Sequence, residues 1–463
     1  MHPQLEDVKT QLPQKLPIKY RAEVLVVGGG PGGMGAAVAA AREGRDVLLV
    51  EHYGFLGGMA TAGEVNPFMM NHYKGVSLDK GVYTDWLAKM EAYGSFGPGG
   101  RVFDPHVARL AAEDLCLEAG VRLLFHHRVA QVITHDRAIA GVILHSKSGF
   151  TAVQADIYID ATGDGDVAAL AGNAFEYGAE GSPYVQPMTL CFKMKLDERD
   201  LPAAMIEAQK KQPTASVREW FGPYFQQIQD AYRKAQIEGR IDCPRENVLM
   251  FRSVDPLVVH FNTTRVIKKS AIDGPEFSEA EIEARKQLRQ YVKLLKDEIP
   301  IFKQARLYSI ASQIGIRESR RITGRAYVTR NDYLRGATYP DGVVRVTYPI
   351  DIHSPTGAGT EMTRLPKDAW YEIPYGCLVP KDIDNLLIAC RAISVDHAVH
   401  SSMRVMAPVI SLGQAAGTAA AMALEQNVAP PGIDGVLLKA RLIARGRNLA
   451  EYIPDRTWAE AIS

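Results

Sequence analysis

The stretch that decides the fold runs from Ala22 to Gly33 and reads AEVLVVGGGPGG. Its first six residues form a short apolar run, which is typical of a buried parallel strand. Gly28, Gly30 and Gly33 then match G-x-G-x-x-G, the loop that leads from a strand into a helix around a pyrophosphate. The first glycine permits the tight turn, the second lets the phosphate approach the backbone, and the third lets the helix pack on the strand.

The residues after this loop complete a strand–helix–strand unit. An alanine-rich stretch, 33–43, predicts a helix that Gly44 ends, and Asp46–Val50 predicts the second strand. Glu51 closes that strand about 20 residues after the loop, where a carboxylate can bind both hydroxyls of an adenosine ribose. The glycine motif alone is weak, and a turn that binds nothing is the alternative. Because strand, helix and acidic residue all accompany it, we expect a dinucleotide site.

The composition is that of a globular protein with two lobes. The chain has 463 residues, more than one hydrophobic core usually serves, and 46% of them are hydrophobic. Basic and acidic side chains number 53 each, so a zero net charge gives no general attraction to nucleic acid or anionic membranes. Five widely spaced cysteines without a C-x-x-C pair argue against a disulfide framework, a zinc site or an iron–sulfur cluster, and no metal is expected.

Two further stretches bear on where the protein works. The first residues are polar and show no apolar signal-peptide core. Residues 405–424 carry no charge and are rich in alanine, glycine and polar side chains, a composition that predicts a buried helix rather than a membrane span. We therefore expect a cytoplasmic protein, and the frequency of symmetric assemblies favours a homo-oligomer.

The order of the remaining elements divides the chain. Ser278 and Glu281 form a capping-box pattern at the start of a helix that reaches Glu298. We predict an α/β fold whose Rossmann-like lobe, a three-layer ββα arrangement with a parallel sheet, comprises residues 1–172 and 376–463. Residues 173–375 insert as an α+β substrate lobe. Elements of the first lobe are predicted at Asp104–Glu118, Val121–Phe125, Val129–Thr134, Ile139–Ser146, Asp156–Asp160 and Asn385–Ala389.

Three features favour FAD over a nicotinamide cofactor. Small residues at 57–61 follow the Glu51 strand closely and would let the backbone lie along a long dinucleotide. Residues 160–166 end a later strand with small residues suited to close backbone approach. The C-terminal strand runs into Arg391 and then a helix that contains glycines. A single nicotinamide-binding domain does not need contributions from segments so far apart in the sequence.

These motifs together resemble a known family. The chain is similar to the FAD-dependent oxidoreductases of the glutathione-reductase-like flavoprotein superfamily, distant relatives of fumarate reductase and heterodisulfide-reductase flavoproteins. The resemblance covers nearly the whole chain from about residue 20, and it is specific for cofactor and fold but poor for substrate. Its motifs are VVGGGPGGMGAA, Glu51 with GGMAT, IDATGDGD, GIRESRRITG, YPIDIH and NLLIACRAISVDHAVHSSMRVMAPVISLGQAAGTAA.

The resemblance also implies which positions bind FAD. The glycine loop would contact the pyrophosphate, the acidic residue the ribose, and the start of the C-terminal helix would lie under the isoalloxazine, where its dipole stabilises negative charge near N1. The implied residues are Gly28, Gly30, Pro31, Gly33, Glu51, Gly57, Gly58, Met59, Ala60, Thr61, Val129, Ala161, Thr162, Gly163, Asp164, Arg391, Arg404, Val405 and Met406.

One departure from the family pattern and two missing motifs limit the chemistry. The usual strand end Ala-Gly-Arg reads Ala389-Cys390-Arg391 here, which leaves the local geometry beside the flavin open. The sequence has no second G-x-G-x-x-G and no redox C-x-x-C. Electrons must therefore enter or leave through the substrate, oxygen or a separately bound donor. A redox or flavin-linked Cys390 is a minor hypothesis, because a free cysteine is usually inert packing.

Substrate-binding candidates concentrate late in the chain. Arg317 and Arg320 could bind a substrate carboxylate, because a guanidinium stays charged and binds bidentately. The alternative is a structural segment in which Glu318 neutralises an arginine. His353, at a turn in PIDIHSPTG, and Tyr375 are further candidates for contact with the substrate.

His397 and His400 are the candidate catalytic residues. They lie between Arg391 and the helix expected under the flavin, and a histidine near N5 can donate or accept the proton that accompanies hydride transfer. Loop histidines without a role are the alternative for both.

The leading functional prediction is an enzyme that transfers a hydride between flavin N5 and a small organic substrate. If Arg317 and Arg320 bind the substrate, it carries a carboxylate. The reaction would be C–C reduction or desaturation, or oxidation of an alcohol or amine. A flavin monooxygenase and an FAD-carrying electron-transfer subunit of a larger complex remain the alternatives.

Overall fold

The computed structural model describes residues 16–97, 100–211, 216–367 and 369–449. The polar N-terminal stretch, from which a cytoplasmic location was inferred, lies mostly outside these residues. The strands in the described part of the chain are β1 (Ile18–Val27), β2 (Val47–Val50), β3 (His72–Tyr73), β4 (Val76–Ser77), β5 (Arg122–Leu124), β6 (Arg128–His135), β7 (Ala138–Ser146), β8 (Gly149–Asp160), β9 (Phe175–Tyr177), β10 (Phe192–Lys195), β11 (Met250–Arg252), β12 (Val258–Phe261), β13 (Arg306–Ile310), β14 (Arg320–Ile322), β15 (Gly342–Val346), β16 (Ile350–His353), β17 (Thr360–Thr363), β18 (Tyr371–Pro374) and β19 (Leu386–Ile388).

Helices cover much of the rest of these residues. They are α1 (Pro31–Arg42), α2 (Val82–Ala92), α3 (Pro105–Glu118), α4 (Asp166–Leu170), α5 (Ala203–Lys211), α6 (Val217–Phe221), α7 (Pro223–Ile237), α8 (Gly274–Glu298), α9 (Arg330–Leu334), α10 (His397–Met403), α11 (Met406–Gln426) and α12 (Gly435–Ala444).

The main sheet joins the two ends of the chain. Its strands run in the order β5-β2-β1-β8-β7-β6, and β19 also pairs with β8. The pairs β5–β2, β2–β1, β1–β8 and β8–β19 are parallel, whereas β6 and β7 are antiparallel to their neighbours. The N-terminal half of β8 pairs with β7 and its C-terminal end with β19, on the side away from β1. The parallel sheet confirms the predicted α/β class.

A smaller antiparallel sheet, in the order β11-β12-β10-β13, forms the centre of the inserted lobe. It shares a second hydrophobic core, Met188 to Ile316, with α5, α6, α7 and α8. The residues from Ile322 onward pack instead with the first core. We therefore propose that the inserted lobe comprises about residues 188–316, which is shorter than the predicted range of 173–375.

The predicted capping box on α8 is wrong. The helix begins at Gly274, and the N-cap is Asp273, whose Oδ1 accepts the Glu276 N–H at 2.9 Å. Ser278 is an interior residue of the helix. Asp273 with Pro275 at the second helical position gives an earlier start signal of equal quality, because Asp is as good an N-cap as Ser.

Helix α11 is the uncharged stretch expected to be buried. It is long and apolar enough to cross a membrane by length and composition, and 94% of its most apolar window is buried inside the protein. It packs along α1 through glycines. A Cβ on Gly413 would lie 1.9 Å from the Gly32 carbonyl oxygen, and one on Gly417 would lie 2.1 Å from the Ala36 carbonyl oxygen. Only glycine permits this backbone separation.

A methyl group at Gly413 tests this contact. In Gly413→Ala, either the Cβ clashes or the two helices separate, and overpacking of this kind costs about 1–3 kcal/mol. We expect the free energy of unfolding in urea to fall by at least that amount. Gly432→Ala is the control, because its Cβ would lie at ordinary contact, 3.5 Å, from Val428. Equal stability of the two variants would show that α1 and α11 tolerate separation.

Candidate active site

One cavity of about 800 Å³ is lined by residues from both lobes. It opens along the carboxyl ends of the parallel strands, which is where open α/β sheets bind their ligands. Most of the residues predicted to bind the cofactor lie on its wall. They are Gly28, Gly30, Pro31, Glu51, Gly58, Met59, Val129, Ala161, Thr162, Gly163, Asp164, Arg391, Arg404, Val405 and Met406.

Four predicted cofactor residues lie behind the wall instead. A Cβ on Gly33 would be 1.7 Å from the Gly28 carbonyl oxygen, so this glycine serves the packing of α1 on β1. Gly57 has φ +102° and donates its N–H to the Gly29 carbonyl at 2.8 Å. Ala60 is fully buried, and the Thr61 hydroxyl donates to the Leu56 carbonyl at 2.6 Å. These residues shape the cavity without facing it.

The loop before α1 is suited to a pyrophosphate. Pro31 is the first helical residue, and no side chain caps the helix, so backbone N–H groups and the positive end of the helix dipole remain available to an anion. A Cβ on Gly30 would be no closer than 3.7 Å to protein, at the Gly58 Cα, and would project into the cavity. The open space beside Gly30 is the cradle that a phosphate needs.

Glu51 is held at the end of β2 by backbone donors. Its carboxylate accepts the Gly29 N–H at 2.6 Å and the Tyr53 N–H at 2.9 Å, and the residue is 5% exposed. These bonds fix the side chain on the cavity wall, where the ribose of the expected dinucleotide would lie.

The end of β8 carries the second predicted phosphate-side segment. Buried Asp160 accepts hydrogen bonds from the Thr162 hydroxyl at 2.7 Å and the Ala168 N–H at 2.9 Å. Burial and the nearby Asp166 raise the pKa of Asp160 to about 6, despite these hydrogen bonds. Asp164 pairs with the Arg391 guanidinium, and both line the cavity. Asp160 therefore positions the turn that presents these groups.

The junction of α10 and α11 forms the wall expected near the isoalloxazine. Arg404 ends α10, Val405 is extended, and α11 begins at Met406 without a side-chain cap. Cys390 also lines the cavity, and burial raises the pKa of its thiol to about 12. The atypical cysteine is thus a neutral, packed side chain, in keeping with the inert alternative.

The part of the cavity away from the glycine loop is rich in arginine. Arg245, Arg317 and Arg404 line it. Arg317 donates from Nη1 to the Pro187 carbonyl at 2.6 Å and to the Thr189 hydroxyl at 2.7 Å. Burial, followed by the neighbouring arginines, lowers the pKa of Arg317 to about 9. This wall is suited to an anionic group, because positive charge is concentrated there.

His353 lies on the same wall and is held neutral. Its Nδ1 accepts from Arg265 Nη2 at 3.1 Å, so its proton is on Nε2, which lies 3.6 Å from Asp351 Oδ2. Burial and the surrounding arginines lower the pKa of His353 well below its usual value. Asp351 also accepts the Tyr348 hydroxyl at 3.3 Å, and both residues line the cavity.

Arg320 and Tyr375, predicted to bind substrate, do not reach the cavity. Arg320 donates to Asp166 Oδ1 at 2.7 Å and to the Asp164 carbonyl at 3.0 Å. This is the ion-paired alternative for that arginine, although its partner is not Glu318. The Tyr375 hydroxyl is buried and donates to the Pro430 carbonyl at 2.9 Å. Both side chains are occupied by contacts within the protein.

The two predicted catalytic histidines lie behind the cavity wall. His397 Nδ1 is 2.7 Å from Glu318 Oε1, which also accepts from Arg321 Nη1 at 2.6 Å. Burial opposes ionisation of Glu318, but the hydrogen bond with His397 and the charge of Arg321 hold its pKa near 2. His400 is fully buried, has no hydrogen-bond partner among the described residues, and has a pKa lowered by burial. Neither histidine contacts the cavity, so their catalytic role stays a prediction without geometric support.

Arg245, Tyr348 and Asp351 are polar residues of the proposed substrate wall that were not predicted. Arg245 follows a polar segment without a motif, so no signal in the sequence distinguishes it from its charged neighbours. Tyr348 and Asp351 belong to the YPIDIH motif, in which only His353 was selected. Within the described ranges, no group of three or more His, Cys, Asp or Glu side chains is placed to bind a metal ion.

Comparison with solved structures gives distant likenesses. A geranylgeranyl bacteriochlorophyll reductase-like protein from Thermoplasma acidophilum is 15% identical, with a TM-score of 0.45, over 92% of this chain and 84% of that one. An L-proline dehydrogenase from P. horikoshii is 12% identical, with a TM-score of 0.42, over 93% and 100%. A flavin-dependent brominase is 13% identical, with a TM-score of 0.45, over 92% and 83%. No curated protein sequence matches the chain.

A protein-family model gives the family and confirms the predicted enzyme class and cofactor. The model is described as FAD dependent oxidoreductase, and it matches residues 23–442, almost all of the part of the chain that contains the two cores and the cavity. The chain therefore belongs to the FAD dependent oxidoreductase family and is an FAD-dependent enzyme.

Proposed function

We propose that this enzyme transfers a hydride between N5 of FAD and a small organic acid whose carboxylate is bound by Arg317. The observation that supports this most directly is the arginine-rich wall of the cavity, where Arg317 and Arg404 lie beside Asp351. An arginine in such a place binds a carboxylate through two parallel hydrogen bonds, which fixes the orientation of the substrate as well as holding it. The oxidation of an alcohol or amine and the reduction or desaturation of a C–C bond are both within this proposal.

In this proposal the cofactor and the residues of the cavity have separate roles. Bound FAD supplies the hydride donor or acceptor. The Pro187 carbonyl and the Thr189 hydroxyl hold Arg317 Nη1, which leaves the rest of the guanidinium to face the cavity. Burial makes its bond to a carboxylate stronger than it would be in water, because the local dielectric is low.

Asp351 is the side chain we propose for proton transfer. It is on the cavity wall, it accepts the Tyr348 hydroxyl, and the Arg404 guanidinium lies 3.9 Å from its Oδ2. His353 cannot act as a base through Nδ1, because that nitrogen accepts from Arg265. His353 instead offers its Nε2 proton as a hydrogen-bond donor to Asp351 or to the substrate. Asp351 is thus placed to take the substrate proton when hydride leaves.

The proposal includes a separate electron donor or acceptor, since the sequence provides no second nucleotide loop and no redox cysteine pair. A cytoplasmic homo-oligomer remains part of the proposal on the general grounds given for the sequence.

Anaerobic reduction of the bound flavin tests the proposed function. A panel of small hydroxy and amino acids, matched with their neutral amides, is mixed with the holoenzyme, and the loss of visible flavin absorbance is followed. We expect acids to bleach the flavin and amides to bleach it poorly. In Arg317→Gln the apparent affinity for the effective acid should fall by about 10–100-fold, which is the loss of a charge-assisted hydrogen bond. Arg320→Gln is the matched control from the same segment and should bind the acid normally.

Other outcomes favour the alternatives. Rapid reoxidation by oxygen coupled to hydroxylation of an added compound would support a flavin monooxygenase. Flavin reduction only by a protein partner would support an electron-transfer subunit. Equal weakening by Arg317→Gln and Arg320→Gln would contradict the assignment of the carboxylate to Arg317.

The variant Gly30→Val tests the cofactor cradle. The Cβ has room in the folded protein, 3.7 Å from the Gly58 Cα, and the branched side chain would extend into the space for the pyrophosphate. We expect a colourless protein that unfolds in urea like wild-type protein stripped of FAD. Normal flavin content in this variant would place the pyrophosphate elsewhere.

Asp351→Asn tests the proton-transfer role. The amide is isosteric but cannot accept a proton, so we expect substrate-driven flavin reduction to slow by about 100-fold or more while FAD and acid binding persist. His400→Asn addresses the histidine predicted from sequence, and its buried side chain is expected to affect stability rather than the reduction rate. Slow reduction in His400→Asn with normal reduction in Asp351→Asn would reverse this assignment.

A further inference from the structure

Arg245 is a buried cation, and two of its three guanidinium nitrogens have no hydrogen-bond partner among the described residues. It lines the cavity from the inserted lobe and is 6% exposed, and neither its Nε nor its Nη1 has a hydrogen-bond partner among the described residues. Buried guanidinium groups are normally paired, because an unsatisfied charged donor is costly. A bound anionic ligand would accept the hydrogen bonds that these guanidinium nitrogens lack.

The backbone at Arg245 is fixed. Its carbonyl accepts the Tyr232 hydroxyl at 3.0 Å and Gln236 Nε2 at 2.9 Å, and its N–H donates to the Cys243 carbonyl at 2.9 Å. Helix α7 therefore holds this segment against the second core. The guanidinium is presented to the cavity by a rigid support, which reduces the entropy lost when a ligand binds.

The positive charge around the cavity exceeds its local compensation. Arg317 is surrounded by Arg245, Arg265 and Arg404, and these same neighbours help to lower its pKa. The carboxylate of Asp351, on the cavity wall, opposes this effect and lies 3.9 Å from Arg404. Glu246 lies 3.6 Å from Arg265 at the more exposed edge, and His353 is neutral. The three arginines that line this wall lie beside the single carboxylate of Asp351, and a ligand carrying two negative charges would balance their excess.

We propose that the substrate of this site is a dianionic organic acid with two separate acidic groups, one bound by Arg317 and the other by Arg245. This rests on the proposed function for the first group and adds the second. The two guanidinium groups come from different segments, the loop after α7 and the stretch after β13, so they approach the ligand from separate supports. Both arginines line one cavity, and Arg245 is close enough to help lower the pKa of Arg317, so the two acidic groups would belong to one small molecule. Each guanidinium can bind one planar carboxylate bidentately.

Calorimetric titration of the FAD-loaded enzyme tests the second group. The probes are malonate, succinate and glutarate, each compared with its own monoamide, which keeps the shape and removes one charge. We expect at least one diacid to bind about 10-fold or more tightly than its monoamide, as the loss of a charged hydrogen bond requires. In Arg245→Gln the affinity for that diacid should fall to the level of the monoamide, whose own affinity should change little. Arg245→Lys, which keeps the charge but not the planar fork, should retain part of the preference.

Arg240→Gln is the matched control. It removes the same charge from the same segment, but Arg240 is exposed and paired with Glu238 and Glu298, so it should leave the preference for the diacid intact. Equal affinity for each diacid and its monoamide would overturn the second binding group and leave the proposed function standing. The absence of binding by every carboxylate probe would overturn both. Tight binding of inorganic phosphate with no preference for a diacid would show that the arginines converge on a single anion, and that would also reject two separate groups.

Discussion

The close contact between α1 and α11 is the constraint on which the site depends. Gly32 meets Gly413, and Ala36 meets Gly417 one helical turn further along, so the two helices run parallel with their N-termini at the same end. Residues nearly 400 positions apart in sequence are thereby joined. Both N-termini reach the cavity, one through the phosphate-binding loop and the other through Val405 and Met406. Each N-terminus contributes a positive dipole end, so the pyrophosphate of FAD and the negative charge of its reduced isoalloxazine would both be favoured electrostatically.

The two hydrophobic cores explain how the protein can tolerate several arginines in the cavity. The parallel sheet and the small-residue helices bury a core that does not depend on the cavity, and the inserted lobe has a second core of its own. Desolvating cations such as Arg245 and Arg317 is unfavourable for folding, and the two cores offset that cost. Binding of an anionic ligand would recover part of this energy, which is a physical reason for such groups to be placed in a binding site rather than elsewhere.

Features that depend on local backbone geometry could be predicted from the sequence, whereas features that depend on tertiary packing could not. The glycine loop could be predicted to line the cavity from local sequence, because Gly28 is required by its positive φ and Gly30 leaves the space that a pyrophosphate needs. The helix starting at Met406 was predicted for the same reason, since its small residues allow close packing. The start of α8 was missed because two capping signals, Asp273 and Ser278, are five residues apart and only tertiary packing chooses between them. Boundaries of this kind depend on the whole core rather than on one segment.

The substrate half depends on side chains that meet across the chain, and their direction is not encoded locally. Arg317 and Arg320 are three residues apart in one motif, yet one faces the cavity and the other pairs with Asp166. His400 lies close in sequence to Arg404, but the helix turns it into a buried charge cluster. Arg245 comes from a segment with no pattern at all. The substrate half therefore draws on both lobes, since Arg245 comes from the inserted lobe whereas Arg317 and Asp351 lie outside residues 188–316. These side chains can change while backbone contacts such as that between Gly32 and Gly413 remain, which is a physical reason why one fold with one cofactor can serve several substrates.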